Sequence, residues 1–441
     1  MKIEGENMKN KKTIIPTIII ITTILIIGGV LIISSNKKEK IMPPSPQVDP
    51  NIYSDTDFNL RLLKTVNSSQ TGNYLISPYS IEIALNMVRE GSSGITREEL
   101  DKILPTRNIP NIAIKNRIGN ANAIFMKDKY KQYIESLFRE TLEKEYHAEV
   151  ILDSFTTPQK INEWVNEKTK GMINKIMDDI SPDFVLGLSN AISIDVEWNS
   201  PFECINTTEE KFEKMNHEKI KVEMMHQTYE SNVNYFETDK AKGVMIPYRK
   251  YDDKGKEVYG EDGNQLEFVG ILPKDDINKY INDLTEEELQ KINTNIKTTD
   301  HSLHLNLSLP RFHYEFELEK FKKVLIAMGI KTPFDKVEAD FSKIITKENL
   351  KKMDAENLYI NSAIHKTYID LNEQGTKAAA VTFFGFDKAN AIMEEPKIIN
   401  LEFNKSFIYM IRDKKTKEVL FFGVVDQPNQ WNGSTCKEKD S

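Results

Sequence analysis

Cysteine is nearly missing from this chain, with two among 441 residues, Cys204 and Cys436. That excludes a disulfide-built scaffold and a four-cysteine zinc site, and leaves one bridge open. Positive charge is not in excess either. The balance of 59 basic against 67 acidic residues gives a net −8, so no global basic field points to nucleic acid, and none is expected as a partner. H-E-x-x-H, G-x-S-x-G and G-x-x-x-x-G-K-[ST] are all absent. Their absence removes the usual zinc-protease, hydrolase and nucleotide-binding signatures. No cofactor and no metal is expected. His301 and His304 invite a metal, but three residues apart on a strand they face opposite sides. Beyond residue 50 no proline- or glycine-rich run interrupts the chain and no repeat is visible. Residues 51–430 therefore read as one large domain, followed by a polar tail at 431–441.

What is present begins at the N-terminus. Thr13 to Ile33 is 21 residues without a charge, long enough at about 1.5 Å per residue to span a bilayer core of roughly 30 Å. Lys2, Lys9, Lys11 and Lys12 precede it; Lys37, Lys38 and Lys40 come after it. We read residues 1–12 as cytoplasmic, 13–33 as an uncleaved signal-anchor helix and the body as extracellular, held at the cell membrane. A cleaved signal peptide, giving a secreted protein, is the alternative, but the run is long and lacks a small-x-small site. Residues 34–50 read as a spacer, with four prolines between Met42 and Pro50 favouring an extended chain.

Within the body, helical signals dominate early. Thr96 and Glu99 have the spacing of a capping box. Thr157 and Pro158 predict the start of a helix with Ile161, Trp164 and Val165 on one face, stopped at Gly171. Glu317 to Met328 predicts another, with Phe321, Val324, Leu325 and Met328 together. Strand signals dominate later. Leu303, Leu305, Leu307 and Leu309 alternate with polar residues. Leu266 to Leu272 is an apolar run ended by Pro273. Leu401 to Ile411 and Val419 to Val425 flank a turn-like DKKTKE and predict a hairpin. Helices segregated from antiparallel strands give an α+β class.

One segment is odd. Glu373 to Ala391 reads EQGTKAAAVTFFGFDKANA and comes after the alternating stretch Thr367 to Leu371. As a strand it would put Thr376, Ala378, Ala380 and Thr382 on one face, all small, and Lys377 on the other. A uniformly small face suits a segment able to slide into a packed sheet. An ordinary edge strand or loop is the plainer alternative.

These features coincide with a resemblance to the serpin family over Phe58 to Pro428. Leu401 to Ile411, LEFNKSFIYMI, fits its C-terminal signature. Glu373 to Ala380 looks like its loop hinge, and Asn73 to Ser80, NYLISPYS, resembles its helix-entry motif. Ala121 to Phe125 and Val222 to Gln227 look like two further blocks. With the N-terminal run, this reads as a membrane-anchored bacterial member. The resemblance implies three β-sheets with eight or nine helices, an exposed reactive centre loop, and a monomer. It also implies a suicide inhibitor rather than an enzyme: a protease attacks the loop, forms its acyl-enzyme, and is trapped as the cut loop enters the main sheet as a new strand. Serpin loop insertion is a known instance of strand addition driven by stored strain.

Carried over residue by residue, the hinge is Glu373, Gly375, Thr376, Ala378, Ala379, Ala380 and Thr382. Ser77, Ser80, Asn190 and His365 match the buried polar cluster under the opening sheet, and Trp198 the position where the loop first enters. Thr376 is expected to pass into the core when the loop inserts. Counting 17 residues from Glu373 inclusive puts the cut at Ala389–Asn390. Lys388–Ala389 is the rival, because the stretch to Leu401 is slightly long. Alanine there predicts an elastase- or subtilisin-like target, and lysine a trypsin-like one. Lys377 and Val381 depart from the family's usual glutamate and alanine, both on the outward face. Phe383, Phe384 and Phe386 are bulky and keep open a non-inhibitory, binding or chaperone-like member. An anchored enzyme is disfavoured by the missing motifs.

Overall fold

The computed structural model describes residues 58–431 apart from 108, 261, 319, 362 and 377–394. All of them belong to the compact unit 48–441. The run 13–33, the spacer and the tail beyond Trp431 lie outside the described residues. Among the described residues no helix is long and apolar enough to cross a membrane.

Nine α-helices lie among the described residues. They are α1 (Phe58–Asn67), α2 (Pro78–Gly91), α3 (Gly94–Ile103), α4 (Ser136–Tyr146), α5 (Gln159–Lys168), α6 (Ile277–Asn282), α7 (Glu286–Thr294), α8 (Phe321–Ala327) and α9 (Lys347–Lys352). The strands begin with β1 (Tyr74–Ile76), β2 (Ile118–Lys127), β3 (Ala148–Asp153), β4 (Leu186–Ile194), β5 (Val196–Glu197) and β6 (Thr208–Glu213). Next come β7 (Lys219–Tyr229), β8 (Asn234–Glu237), β9 (Ala241–Tyr251), β10 (Asn264–Pro273), β11 (Ile296–Thr298) and β12 (Leu303–Pro310). The last are β13 (Phe312–Glu317), β14 (Lys366–Asn372), β15 (Gly375–Thr376), β16 (Lys397–Glu402), β17 (Phe407–Asp413) and β18 (Val419–Val425).

Local chemistry explains several boundaries. Ser77 caps α2, its hydroxyl accepting the Ser80 N–H at 3.2 Å, with Pro78 in the first turn, where a missing N–H costs nothing. Gly171, at φ +76°, ends the α5 region as its N–H reaches back to the Asn166 carbonyl. Leu305, Leu307 and Leu309 of β12 are buried in alternation, as read from the sequence.

Four expectations need correction. Thr96 and Glu99 do not form a capping box, because α3 begins earlier, at Gly94. The Thr96 hydroxyl accepts the Asp340 N–H, while the Glu99 carboxylate accepts the Lys331 and Thr332 N–H groups. Their capping capacity is used on a distant loop. The helix expected from Glu317 starts at Phe321, since Phe312–Glu317 pairs with β14 as a strand. Thr157 does not cap α5; Pro158 occupies the cap position without a side-chain bond. Leu401 belongs to β16 in another sheet, so the hairpin is β17 with β18 alone.

The class is α+β. A seven-stranded sheet has the order β1-β18-β17-β10-β9-β8-β11, and a four-stranded sheet the order β16-β12-β7-β6. The third sheet is split in two: β13-β14-β15-β5 on one side and β3-β2-β4 on the other. Among the described residues, the Leu186–Ile360 bridge is the one pairing between β4 and the chain leading into β14. The expected three sheets are therefore four ladders, with β13-β14-β15-β5 and β3-β2-β4 meeting along a seam. β17 is buried along its whole length and lies inside the seven-stranded sheet between β18 and β10, with the Arg412 guanidinium paired to Glu267 at 2.8 Å.

Candidate functional site

The seam ends at the hairpin joining β14 to β15. Leu371 pairs with Thr376 and Asn372 with Gly375. The Asn372 side chain accepts the Gln374 N–H at 3.0 Å, which folds the turn locally. On its far side β15 pairs with β5, Gly375 with Glu197 and Thr376 with Val196. Gly375 has φ +153°, and a Cβ there would stand 2.2 Å from the Val196 carbonyl oxygen. Only glycine lets the two backbones come this close.

Thr376 is thus already inside. It is 4% exposed, and its hydroxyl meets the Tyr248 hydroxyl at 2.7 Å. The expectation that it enters the core only on loop insertion is corrected: the first inward residue of the hinge is seated in the described state. Burial pushes the Tyr248 phenol well above its ordinary pKa, so it stays a neutral hydrogen-bonding group.

Trp198 lies against this turn. Its ring is fully buried and stacks on Tyr248, centroids 4.4 Å apart and planes 8° from parallel. The indole N–H donates to the Asn372 carbonyl at 2.9 Å and the Trp198 backbone N–H to the Gln374 carbonyl at 2.8 Å. The Phe202 N–H donates to the Glu373 carbonyl at 2.9 Å. The Glu373 side chain is also buried. It accepts the Thr207 hydroxyl at 2.6 Å and pairs with Arg311, whose guanidinium reaches Glu223 at 3.2 Å on its other side. The buried carboxylate thus has a cation and a hydroxyl as hydrogen-bond partners, so its oxygens are not left unsatisfied.

Lower along the seam, Ser77, Ser80 and His365 are buried together. The Ser77 N–H donates to His365 Nε2 at 3.0 Å, which fixes that nitrogen as the acceptor. The Phe321 ring stands 5.6 Å from the imidazole. Burial lowers the His365 pKa to about 3. Asn190 lies in β4 in register with Asn122, and its side chain is outside the described residues. So are Ala378, Ala379, Ala380, Thr382 and the candidate bonds at Lys388, Ala389 and Asn390.

Sequence reasoning does not single out Tyr248, Arg311, Thr207 or Glu223. Arg311 carries a faint signal, a charge directly after the buried end of an alternating strand. Tyr248 carries none, since it is one apolar position in a buried strand. Among the described residues no group of three side chains could hold a metal ion; His301 sits in an exposed turn and His304 on β12.

Comparison with known proteins gives the same frame. A family model described as serpin, serine protease inhibitor, matches residues 53–428. An uncharacterized serpin-like protein of Thermococcus kodakarensis is 30% identical over 407 residues, covering 87% of each chain. A leukocyte elastase inhibitor of Xenopus laevis is 28% identical, over 85% of this chain and 98% of that one. Among solved structures, the thermophilic serpin tengpin in its native state is similar with a TM-score of 0.70 and 29% identity, covering 86% of this chain and 95% of that one.

Proposed function

Because this chain belongs to the serpin family, whose members are in general protease inhibitors and not enzymes, we propose that it is an irreversible suicide-substrate inhibitor of serine, or cysteine, endopeptidases. The protease nucleophile adds to the carbonyl of the residue before the cut, Ala389 in our assignment. The amine of Asn390 leaves with the C-terminal part, and the loop is held as an acyl-enzyme. The freed strand then extends β15 down the seam, carrying the protease with it before water can complete deacylation.

The observation that supports this most is β15. The hinge is paired on both edges, to β14 and to β5, in a sheet whose two halves share one bridge among the described residues. Each further ladder bond adds about 1 kcal/mol net, so the uncut state is trapped kinetically above the inserted one.

The test is to mix the protein with elastase-, subtilisin- and trypsin-like proteases and run a denaturing gel. A covalent complex is expected. Cleavage without a complex would make the protein a substrate, and no cleavage would favour the binding or chaperone-like reading. Mass spectrometry of the released C-terminal fragment should find Asn390 at its start. A start at Ala389 would move the bond to lysine and the target to trypsin-like enzymes.

A further inference from the structure

The family match ends at Pro428, but residues 429–431 are also held on the body. The Asn429 N–H donates to the Arg311 carbonyl at 3.0 Å, and the Asn429 carbonyl accepts the Glu223 N–H at 3.2 Å. Its side-chain Oδ1 accepts the His313 N–H at 3.0 Å. Gln430 bridges to Val222, and the Trp431 N–H donates to the Lys221 carbonyl at 3.0 Å. The Arg311 N–H in turn donates to the Glu223 carbonyl at 2.8 Å. Both backbone groups of Arg311 are therefore fixed, one by Asn429 and one by Glu223, and Asn429 holds Glu223 as well. The Arg311 side chain is the cation shared by Glu223 and Glu373, and Glu373 is the first residue of the turn into β15.

We propose that residues 429–431 form a clasp, with Asn429 as the positioning residue that sets Arg311 on Glu373 and so governs when the hinge yields. The bond geometry gives the reason. A displaced Arg311 would leave Glu373 a buried charge with the Thr207 hydroxyl alone, which is costly. The base of the hinge would then loosen, and the neighbouring turn would shift against Trp198, which holds the carbonyls on either side of Glu373, those of Asn372 and Gln374. The consequence for protease capture rests on the inhibitor reading above; the consequence for Trp198 does not.

The test uses the full chain with Trp164→Phe and Trp431→Phe, leaving Trp198 as the single indole; the Trp431 backbone bond survives the change. In this background Asn429→Ala removes the acceptor for His313, whereas Asn429→Asp keeps it. We expect Asn429→Ala to shift the Trp198 emission. The moles of inhibitor consumed per complex should rise about fivefold, the size expected when one net hydrogen bond of roughly 1 kcal/mol is lost, with the association rate unchanged. Asn429→Asp should restore both. A fall in melting temperature with emission and stoichiometry unchanged would make the segment ordinary C-terminal packing and overturn the proposal. Failure of Asn429→Asp to restore either signal would overturn the role of the acceptor. If the parent chain traps no protease, the inhibitor reading falls, and the clasp stands or falls on the Trp198 emission alone.

Discussion

The imidazole of His365 is buried, and its Nε2 accepts the Ser77 N–H at 3.0 Å. A proton on that nitrogen would remove the acceptor and bury a charge, which is why burial lowers its pKa to about 3 from the usual 6.5. The folded state therefore binds fewer protons than the unfolded chain between these values. This contribution to stability is fully present above about pH 6.5 and is lost as pH falls below it, by about 1.4 kcal/mol per unit. His365→Gln keeps an acceptor without the titration. Between pH 6.5 and 5 the wild type should lose about 2 kcal/mol more than this variant, read from urea midpoints; parallel pH curves would contradict the assignment. At this scale the sequence is legible only through resemblance. Nothing in the pattern around His365 marks it as a neutral acceptor, and Thr96 with Glu99 shows a local motif overruled by a distant loop that needed its oxygens more.

At the scale of elements, β15 is two residues long and is held by one side-chain bond, Thr376 to Tyr248. Tyr248→Phe should free the hinge while keeping the ring stacked on Trp198. We expect earlier loop cleavage by protease, and faster complex formation, by about fivefold if one buried hydrogen bond of roughly 1 kcal/mol is removed. Unchanged rates would mean that backbone pairing alone seats the hinge. Thr376→Arg buries an unpaired charge beside Tyr248; it should unseat β15 and turn the protein into a substrate, and retained trapping would show that the inward register is wrong. The elements with strong periodicity, β12, α5 and the β17–β18 hairpin, are legible in the sequence. The strands that flank β12 are not, because pairing with distant segments leaves no local trace; Leu401, which pairs with Leu307, reads as part of the wrong strand for that reason. The seam itself has no sequence signature, since it is a property of two edges meeting.

At the scale of the whole molecule, the apolar run 13–33 and its flanking lysines lead us to propose a body held at the outer face of a membrane. Protease added to intact cells should release the folded body, and protection until lysis would place it inside. The family and the α+β class are legible because several motifs stand in the right order across the chain. The clasp after Pro428 is not, because Asn429 to Trp431 has no periodicity, and its backbone bonds and the one side-chain acceptor of Asn429 leave no sequence pattern.

The seated Thr376 also makes the loop a matter of odd and even. A strand alternates faces at every residue, so with Thr376 inward the next inward positions are Ala378, Ala380 and Thr382, all small. One residue inserted between Thr376 and Lys377 would exchange the two sets, sending Lys377, Val381 and Phe383 toward the core. Two inserted residues would put the original set back, at the cost of a longer loop. The trapping yield should therefore collapse with one added residue and recover with two. A smooth decline with length would mean that β15 does not set the phase of the residues beyond it.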